Sequence, residues 1–147
     1  MRSMYKESNP VPALSPKMLL FNESLAKEMN LHYLIENSSE CLDILSGNKI
    51  IKNSRPIALA YSGHQFGHFN SNLGDGRALL LGETLDQQGN LKDIQLKGSG
   101  RTPFSRRGDG KSALGPVLRE YLISESMHIL GIPTTRSLAA INTGEKV

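Results

Sequence analysis

Two glycine-rich turns flank a pair of predicted strands and place a single lysine beside the second turn. The first turn is Gly74-Asp75-Gly76-Arg77, the second is Gly98-Ser99-Gly100-Arg101, and Lys97 immediately precedes the second. Glycine lets backbone N–H groups approach a phosphate closely, and a lysine adds a positive charge. The pattern indicates a nucleotide phosphate site. Short glycine motifs also form ordinary hairpin turns, so the spacing alone leaves open two such turns and a surface lysine.

Positive charge is concentrated in the glycine-rich segment 98–111. This segment has one acidic residue, Asp109, and four basic residues, Arg101, Arg106, Arg107 and Lys111. Dense positive charge among glycines suits a polyphosphate. It also suits a nucleic-acid backbone, but Phe104 is the only aromatic residue in the segment, and single-strand binding surfaces use several. We therefore expect a nucleotide rather than a nucleic acid as the ligand.

The longest periodic segment predicts a helix over residues 112–130, which supplies two candidate acids for Lys97. Its apolar residues fall on two sides at helical spacing, so we expect the helix to be packed on both sides. Glu120 falls on one of these sides and Glu125 on the other. An ionised carboxylate on an apolar face needs a partner, either Lys97, a neighbouring arginine or water. Helical spacing does not choose between the two glutamates.

The remaining predicted helices, strands and loops hold these groups in place. The sequence predicts an extended arm over 1–16, helices over 22–30 and 39–45, strands over 57–61, 78–85, 91–97 and 136–143, and a polar loop over 62–72. Cys41 falls in an apolar helical pattern and is expected to pack in the core. His64 and His68 have a spacing that suits a metal on a helix, but the intervening glycines oppose a helix, so we expect no metal there.

Composition narrows the class of protein. The chain has 147 residues, 38% apolar and 21% charged, which is typical of a globular domain. A net charge of +3 is too small to imply nucleic acid by itself. A single cysteine allows no internal disulfide and is compatible with a reducing compartment. Because no apolar run could span a bilayer and no signal-peptide core is present, we expect a cytoplasmic protein without a membrane partner.

Four long strings closely resemble the SelO (YdiU) family: YSGHQFG, LGDGRALLLGE, LKGSGRTPFSRRGDGKSAL and LREYLISESMHILGIPTTRSL. The resemblance extends from about residue 9 to the end. It implies an α+β fold with a protein-kinase-like N-lobe at 56–147, an antiparallel sheet with one long αC-like helix, preceded by a short helical extension at 1–55. It also implies transfer of AMP from ATP, or UMP from UTP, to Ser, Thr or Tyr hydroxyls of protein substrates.

The resemblance also assigns site residues. It implies that the nucleotide is bound by Gly74, Gly76, Arg77, Lys97, Asp109 and Gly110. It implies that Glu120 orients Lys97, which favours Glu120 over Glu125. In the family, the catalytic aspartate and the ligands of Mg²⁺ or Mn²⁺ lie further along than residue 147. We therefore expect no catalytic or metal-binding residue here and no activity from this chain alone.

Two other hypotheses remain open at this point. The basic glycine-rich surface could serve a non-catalytic module that binds a protein or nucleic acid. The chain could also be a fragment without a stable fold, with an apolar face that promotes association.

Overall fold

The structure, a computed structural model, describes residues 4–146. The first three residues of the predicted arm and residue 147 lie outside the described range. The described residues form an α+β fold, as expected, with strands and helices in the following order: β1 (Tyr5–Glu7), β2 (Lys17–Phe21), α1 (Glu23–Glu28), α2 (His32–Glu36), α3 (Ser38–Leu45), β3 (Ile57–Leu59), β4 (Gly63–Gln65), β5 (His68–Asn70), β6 (Ala78–Leu85), β7 (Leu91–Lys97), α4 (Leu114–Ile129) and β8 (Ala139–Asn142).

The main sheet is antiparallel with strand order β1-β3-β6-β7. The predicted hairpin of β6 and β7 is confirmed with the same bounds, and Ala78 at the start of β6 pairs with Lys97 at the end of β7. Alternation along β6 buries Leu79 and Leu81, and Leu96 of β7 is buried with them. Two-residue periodicity therefore sets which side of the hairpin faces the core.

The turn of this hairpin is organised by Asp86, whose side chain is buried. Its Oδ1 accepts hydrogen bonds from the N–H groups of Gln88 at 3.0 Å and Asn90 at 2.8 Å. Burial alone would raise the pKa of Asp86, but the hydrogen bonds from Asn90 and Gln88 and the charge of Lys92 outweigh it and lower the pKa. The ionised carboxylate thus satisfies the amides of the turn.

A second layer is formed by β2 and β8, which pair antiparallel, and by the three N-terminal helices. Leu34, Cys41 and Ile44 form a buried cluster in this layer. Cys41 is 2% exposed, so its predicted core position is confirmed, and burial raises the pKa of its thiol. No strand was predicted at 17–21, because a five-residue segment between a proline and a helix cap has too little local pattern.

Several further elements of the structure were not predicted. The predicted arm contains β1, helix α2 was not predicted, and the predicted loop 62–72 contains the hairpin of β4 and β5. The turn of that hairpin has two residues with positive φ, Phe66 at 54° and Gly67 at 77°. Such a turn matches the twist of a hairpin, but an aromatic residue is an unusual first member.

Helix α4 has nearly the predicted bounds, and Pro116 lies in its first turn. The prediction that it packs on two sides is wrong within residues 4–146, where Ser124 is the helix's only buried residue. Leu122 is 62% exposed, Ile123 58% and Ile129 82%. The reason is that α4 contacts β8 on one side, whereas a cleft separates it from β7. Among these residues no helix is long and apolar enough to cross a membrane.

Candidate nucleotide site

The β6–β7 hairpin brings the two glycine turns to the same end of the main sheet. The first turn enters β6 and the second leaves β7, and these strand ends are paired. The N–H of Gly98 donates to the carbonyl of Arg77 at 2.7 Å, so the ladder extends one step into both turns. Lys97 therefore lies beside Gly76 and Arg77 in space because the register of the hairpin requires it.

The expected contact between Lys97 and Glu120 is present. The Lys97 Nζ lies 2.8 Å from both Oε1 and Oε2 of Glu120, which joins the end of β7 to the middle of α4. Both side chains are half exposed, at 45% and 46%. An ion pair in such a position adds little to stability. Its main consequence is geometric, because it fixes the ammonium while leaving it accessible to a ligand.

The competing acid, Glu125, has a different partner. Arg136 forms a fork with it, donating from Nε to Oε1 at 2.8 Å and from Nη2 to Oε2 at 2.9 Å. Arg136 also donates from Nη1 to Oε2 of Glu28 on α1 at 2.7 Å. Hydrogen bonding from Arg136 lowers the pKa of Glu125, and Glu125 and then Glu28 hold the pKa of Arg136 above its ordinary value.

The first glycine turn is held by the loop that follows β7. The Thr102 hydroxyl donates to the carbonyl of Asp75 at 2.5 Å, and the Ser105 hydroxyl donates to the carbonyl of Gly76 at 2.6 Å. Gly74 has φ of 61°, and a Cβ there would overlap the ring of Phe104. The turn thus needs glycine both for its backbone conformation and for the close approach of an aromatic ring.

Asp75 holds the same turn from the other side. Its Oδ2 accepts from the N–H of Leu59 at 3.1 Å, and its own N–H donates to the carbonyl of Leu59 at 2.9 Å. Partial burial and then a hydrogen bond to Asp75 raise the pKa of Tyr61. The turn is therefore pinned to β3 as well as to the loop after β7.

The third glycine pair packs against the second turn. The N–H of Gly100 donates to the carbonyl of Gly110 at 3.2 Å, and a Cβ at Gly110, whose φ is 71°, would overlap the carbonyl of Gly100. The Asp109 Oδ1 accepts from the N–H of Lys111 at 2.8 Å, and the side chain lies exposed. Asp109 and Gly110 are thus brought to the same loop cluster as Gly98 and Gly100.

A cleft of about 1180 Å³ lies between β7 and α4. Lys97 and Glu120 line it, together with Ser99 and Lys111. Gly98 and Ser99 of the second glycine turn also line the cleft, whereas Gly74, Gly76, Arg77, Asp109 and Gly110 do not. The Ser99 Oγ is buried and has no hydrogen-bond partner among residues 4–146. The predicted site residues are thus neighbours, but they do not surround one enclosed cavity.

Sequence reasoning did not identify the residues that hold the site together. Thr102, Phe104 and Ser105 were seen only as part of a basic loop, although short hydroxyl residues beside glycines are a signal for side chain to backbone hydrogen bonds. Arg136 was predicted only as a strand residue. Its partners are far away in sequence, so no local pattern could have identified them.

The described residues offer no ligand set for the Mg²⁺ or Mn²⁺ that the resemblance implies. No group of three or more His, Cys, Asp or Glu side chains is placed to hold a metal within residues 4–146. His64 instead contacts Phe69 edge to face, with ring centroids 5.4 Å apart. We therefore derive no step through a metal from these residues.

Comparison with known proteins identifies the family. Residues 2–147 match the family model described as Protein adenylyltransferase SelO. A protein nucleotidyltransferase YdiU from Brevibacillus brevis is 58% identical over 146 residues, which are 99% of this chain and 30% of the relative. The protein of that name from Clostridium perfringens is 59% identical over 143 residues, which are 97% of this chain and 29% of the relative.

The chain spans about 30% of the length of these curated relatives. The matched span covers 99% of this chain, and both glycine turns, Lys97 and all of α4 lie within it. The chain therefore belongs to the SelO family, whose relatives are named as protein nucleotidyltransferases.

Proposed function

We propose that this chain is the nucleotide-binding part of a protein nucleotidyltransferase, and that its main sheet and α4 correspond to a kinase-like N-lobe. The observation that carries the proposal is the contact of Lys97 with both carboxylate oxygens of Glu120, directly beside two glycine turns. An acid on a helix that orients a strand lysine toward phosphates is the arrangement that kinases use.

The geometry suits a polyphosphate in two ways. The Lys97 ammonium is held on one side by Glu120 and is half exposed, so it can still donate to a phosphate oxygen. The exposed Arg77 lies next to Gly76 and donates to Ser112 Oγ at 3.4 Å, a contact that a stronger acceptor would replace. The resemblance adds Gly74, Gly76, Asp109 and Gly110 to the proposed nucleotide-binding set.

In the complete protein, a Ser, Thr or Tyr hydroxyl oxygen of a protein substrate would attack the α-phosphorus of ATP or UTP. The new P–O bond forms while the bond to the β-phosphate breaks, and pyrophosphate leaves. Mg²⁺ or Mn²⁺ would neutralise phosphate charge. We propose that this chain binds nucleotide but does not catalyse transfer by itself. We also propose that the protein acts in the cytoplasm.

Titration calorimetry of the chain with ATP and with UTP, each with Mg²⁺ or Mn²⁺, tests the proposal. We expect saturable binding to the unsubstituted chain. Lys97→Met should weaken the affinity by about tenfold or more, because a charged hydrogen bond contributes roughly 1.5–3 kcal/mol. The matched control is Lys52→Met, which removes an exposed lysine far from the cleft and should leave the affinity unchanged.

The rival function is a basic module for nucleic acid. It predicts oligonucleotide binding that weakens steeply with salt, together with no heat of binding for any nucleotide. That pair of results, or an affinity unaffected by Lys97→Met, would contradict the proposed nucleotide site.

A further inference from the structure

Core packing does not fix the distance between α4 and β7. The cleft separates the two elements, and Ser124 is the only buried residue of α4 within the described chain. The Lys97–Glu120 contact spans the gap at one place, but it is half exposed and offers little energy to hold a helix. Packing of α4 against β8 and a further contact must therefore set where α4 lies relative to β7.

Arg136 provides a second and better enclosed tie. Its side chain is 13% exposed, compared with 45% for Lys97. It holds Glu125 of α4 with a two-bond fork and Glu28 of α1 with a third hydrogen bond. A planar guanidinium in this position restrains both the distance and the rotation of its partners.

Helix α1 is in turn attached to the far end of the β6–β7 hairpin. The Asn30 amide donates to the carbonyl of Leu85 at 2.9 Å, and the Gln87 N–H donates to the carbonyl of Glu28 at 2.9 Å. The Gln87 side chain also donates to the carbonyl of Lys27 at 2.9 Å. These bonds make α1 part of the same body as β7.

The contacts therefore form a closed ring around the cleft. It runs from β7 through the hairpin turn to α1, through Arg136 to Glu125 on α4, and through Glu120 back to Lys97 on β7. Glu120 and Glu125 are five residues apart, about 140° around the helix axis, so the two ties hold α4 from different sides. Contacts at two such points together restrain the rotation of α4 and its distance from β7.

We propose that Arg136 is a positioning residue, which uses α1 as a brace to place Glu120 of α4 against Lys97 of the nucleotide site. The inference rests on the proposed function for its biological meaning, but not for its geometry. It gives the N-terminal helix α1 a part in nucleotide binding although α1 does not contact Lys97.

Zero-length cross-linking measures the contact without any nucleotide. A carbodiimide joins a carboxylate to an amine only where the two already touch, and mass spectrometry identifies the joined peptides. In the unsubstituted chain we expect Lys97–Glu120 and Lys49–Glu40 cross-links, since both pairs are in contact. In Arg136→Met, we expect the Lys97–Glu120 yield to fall severalfold while the Lys49–Glu40 yield is unchanged.

Three variants separate positioning from general destabilisation. Arg119→Met makes the same change at an exposed arginine of α4 and should leave both yields unchanged. Arg136→Lys keeps the charge without the fork and should give an intermediate yield. Glu28→Ala removes the hydrogen bond from Arg136 to α1, at a side chain that is 40% exposed, and should lower the Lys97–Glu120 yield in a chain that still folds.

The outcomes are distinct. A fall of both yields together would mean that Arg136 only stabilises the fold, and an unchanged Lys97–Glu120 yield in Arg136→Met and Glu28→Ala would overturn the proposal. ATP titration should show about tenfold weaker binding for Arg136→Met, a smaller loss for Arg136→Lys and the parent affinity for Arg119→Met. The Lys97–Glu120 cross-link yield could fall in the variants while neither the variants nor the parent chain bind nucleotide. That result would support the positioning role of Arg136 and contradict the proposed function.

Discussion

Gly110 shows how a single residue is determined by two independent constraints. Its φ of 71° lies in the left-handed region, and a Cβ would overlap the carbonyl of Gly100 in the neighbouring turn. Gly89, in the β6–β7 turn, has a similar φ of 81° but nothing within 4 Å of its would-be Cβ. Alanine at position 89 would therefore meet only backbone strain, whereas alanine at position 110 would meet the same strain and a steric clash as well.

We expect Gly89→Ala to reduce the free energy of unfolding by about 1–2 kcal/mol, which is the cost of a left-handed alanine. Gly110→Ala adds the displacement of the Gly100 turn and should cost about 3 kcal/mol or more. Urea unfolding of both variants measures the difference. Equal costs at the two positions would show that the turns at Gly100 and Gly110 do not pack as described.

At the scale of elements, α4 is positioned by charge rather than by burial. The charged tie of Glu125 to Arg136 makes the position of the helix sensitive to acid. Glu125 has its pKa lowered below the ordinary value of 4.5, first of all by its hydrogen bonds from Arg136. A carboxylate with a depressed folded-state pKa contributes stability that is complete above its unfolded pKa and is lost as pH falls through the folded pKa.

We therefore expect the urea midpoint of the chain to decrease as the pH is lowered from 5 toward 3, because protonation of Glu125 releases Arg136. Glu125→Gln should lower stability at pH 7 by about 2 kcal/mol, since it removes a charged fork. The variant should also show a flatter pH dependence than the parent in that range. Parallel pH profiles for the two chains would refute the assignment.

For the whole molecule, the largest unexplained feature is the apolar outer surface of α4. Leu122, Ile129 and Leu130 are exposed at 62%, 82% and 74%, which is unusual for neighbouring large apolar residues on one helix. The chain also spans only about 30% of the length of its curated relatives. Isolated in solution, this surface is expected to drive association between copies.

We expect sedimentation velocity to show association that increases with concentration, and Leu122→Glu combined with Ile129→Glu to reduce it. Leu14→Glu is the control, because Leu14 is 82% exposed but lies in the N-terminal segment away from α4. Association that persists in the double variant would place the contact elsewhere. A cooperative thermal transition of the same samples would exclude the hypothesis of a fragment without a stable fold.

Local patterns were sufficient for the elements that carry the site. The β6–β7 hairpin has its predicted bounds, and α4 has nearly its predicted ones, because two-residue alternation, helical periodicity and glycine-marked ends are properties of neighbouring residues. The β4–β5 hairpin and β2 were missed for the same reason. A left-handed Phe66 and a five-residue strand whose partners lie more than a hundred residues further along the chain leave no local signal.

By itself, the sequence determined the family, the α+β class and the adjacency of Lys97 to the glycine turns, since the hairpin register joins them. Resemblance also predicted the contact of Lys97 with Glu120, which is present. Only the tertiary structure decided which residues lock the first turn, and that α4 is tied to α1 through Arg136. The physical reason is range: a hairpin is closed by residues a few positions apart, whereas Arg136 and Glu28 meet across 108 positions of chain.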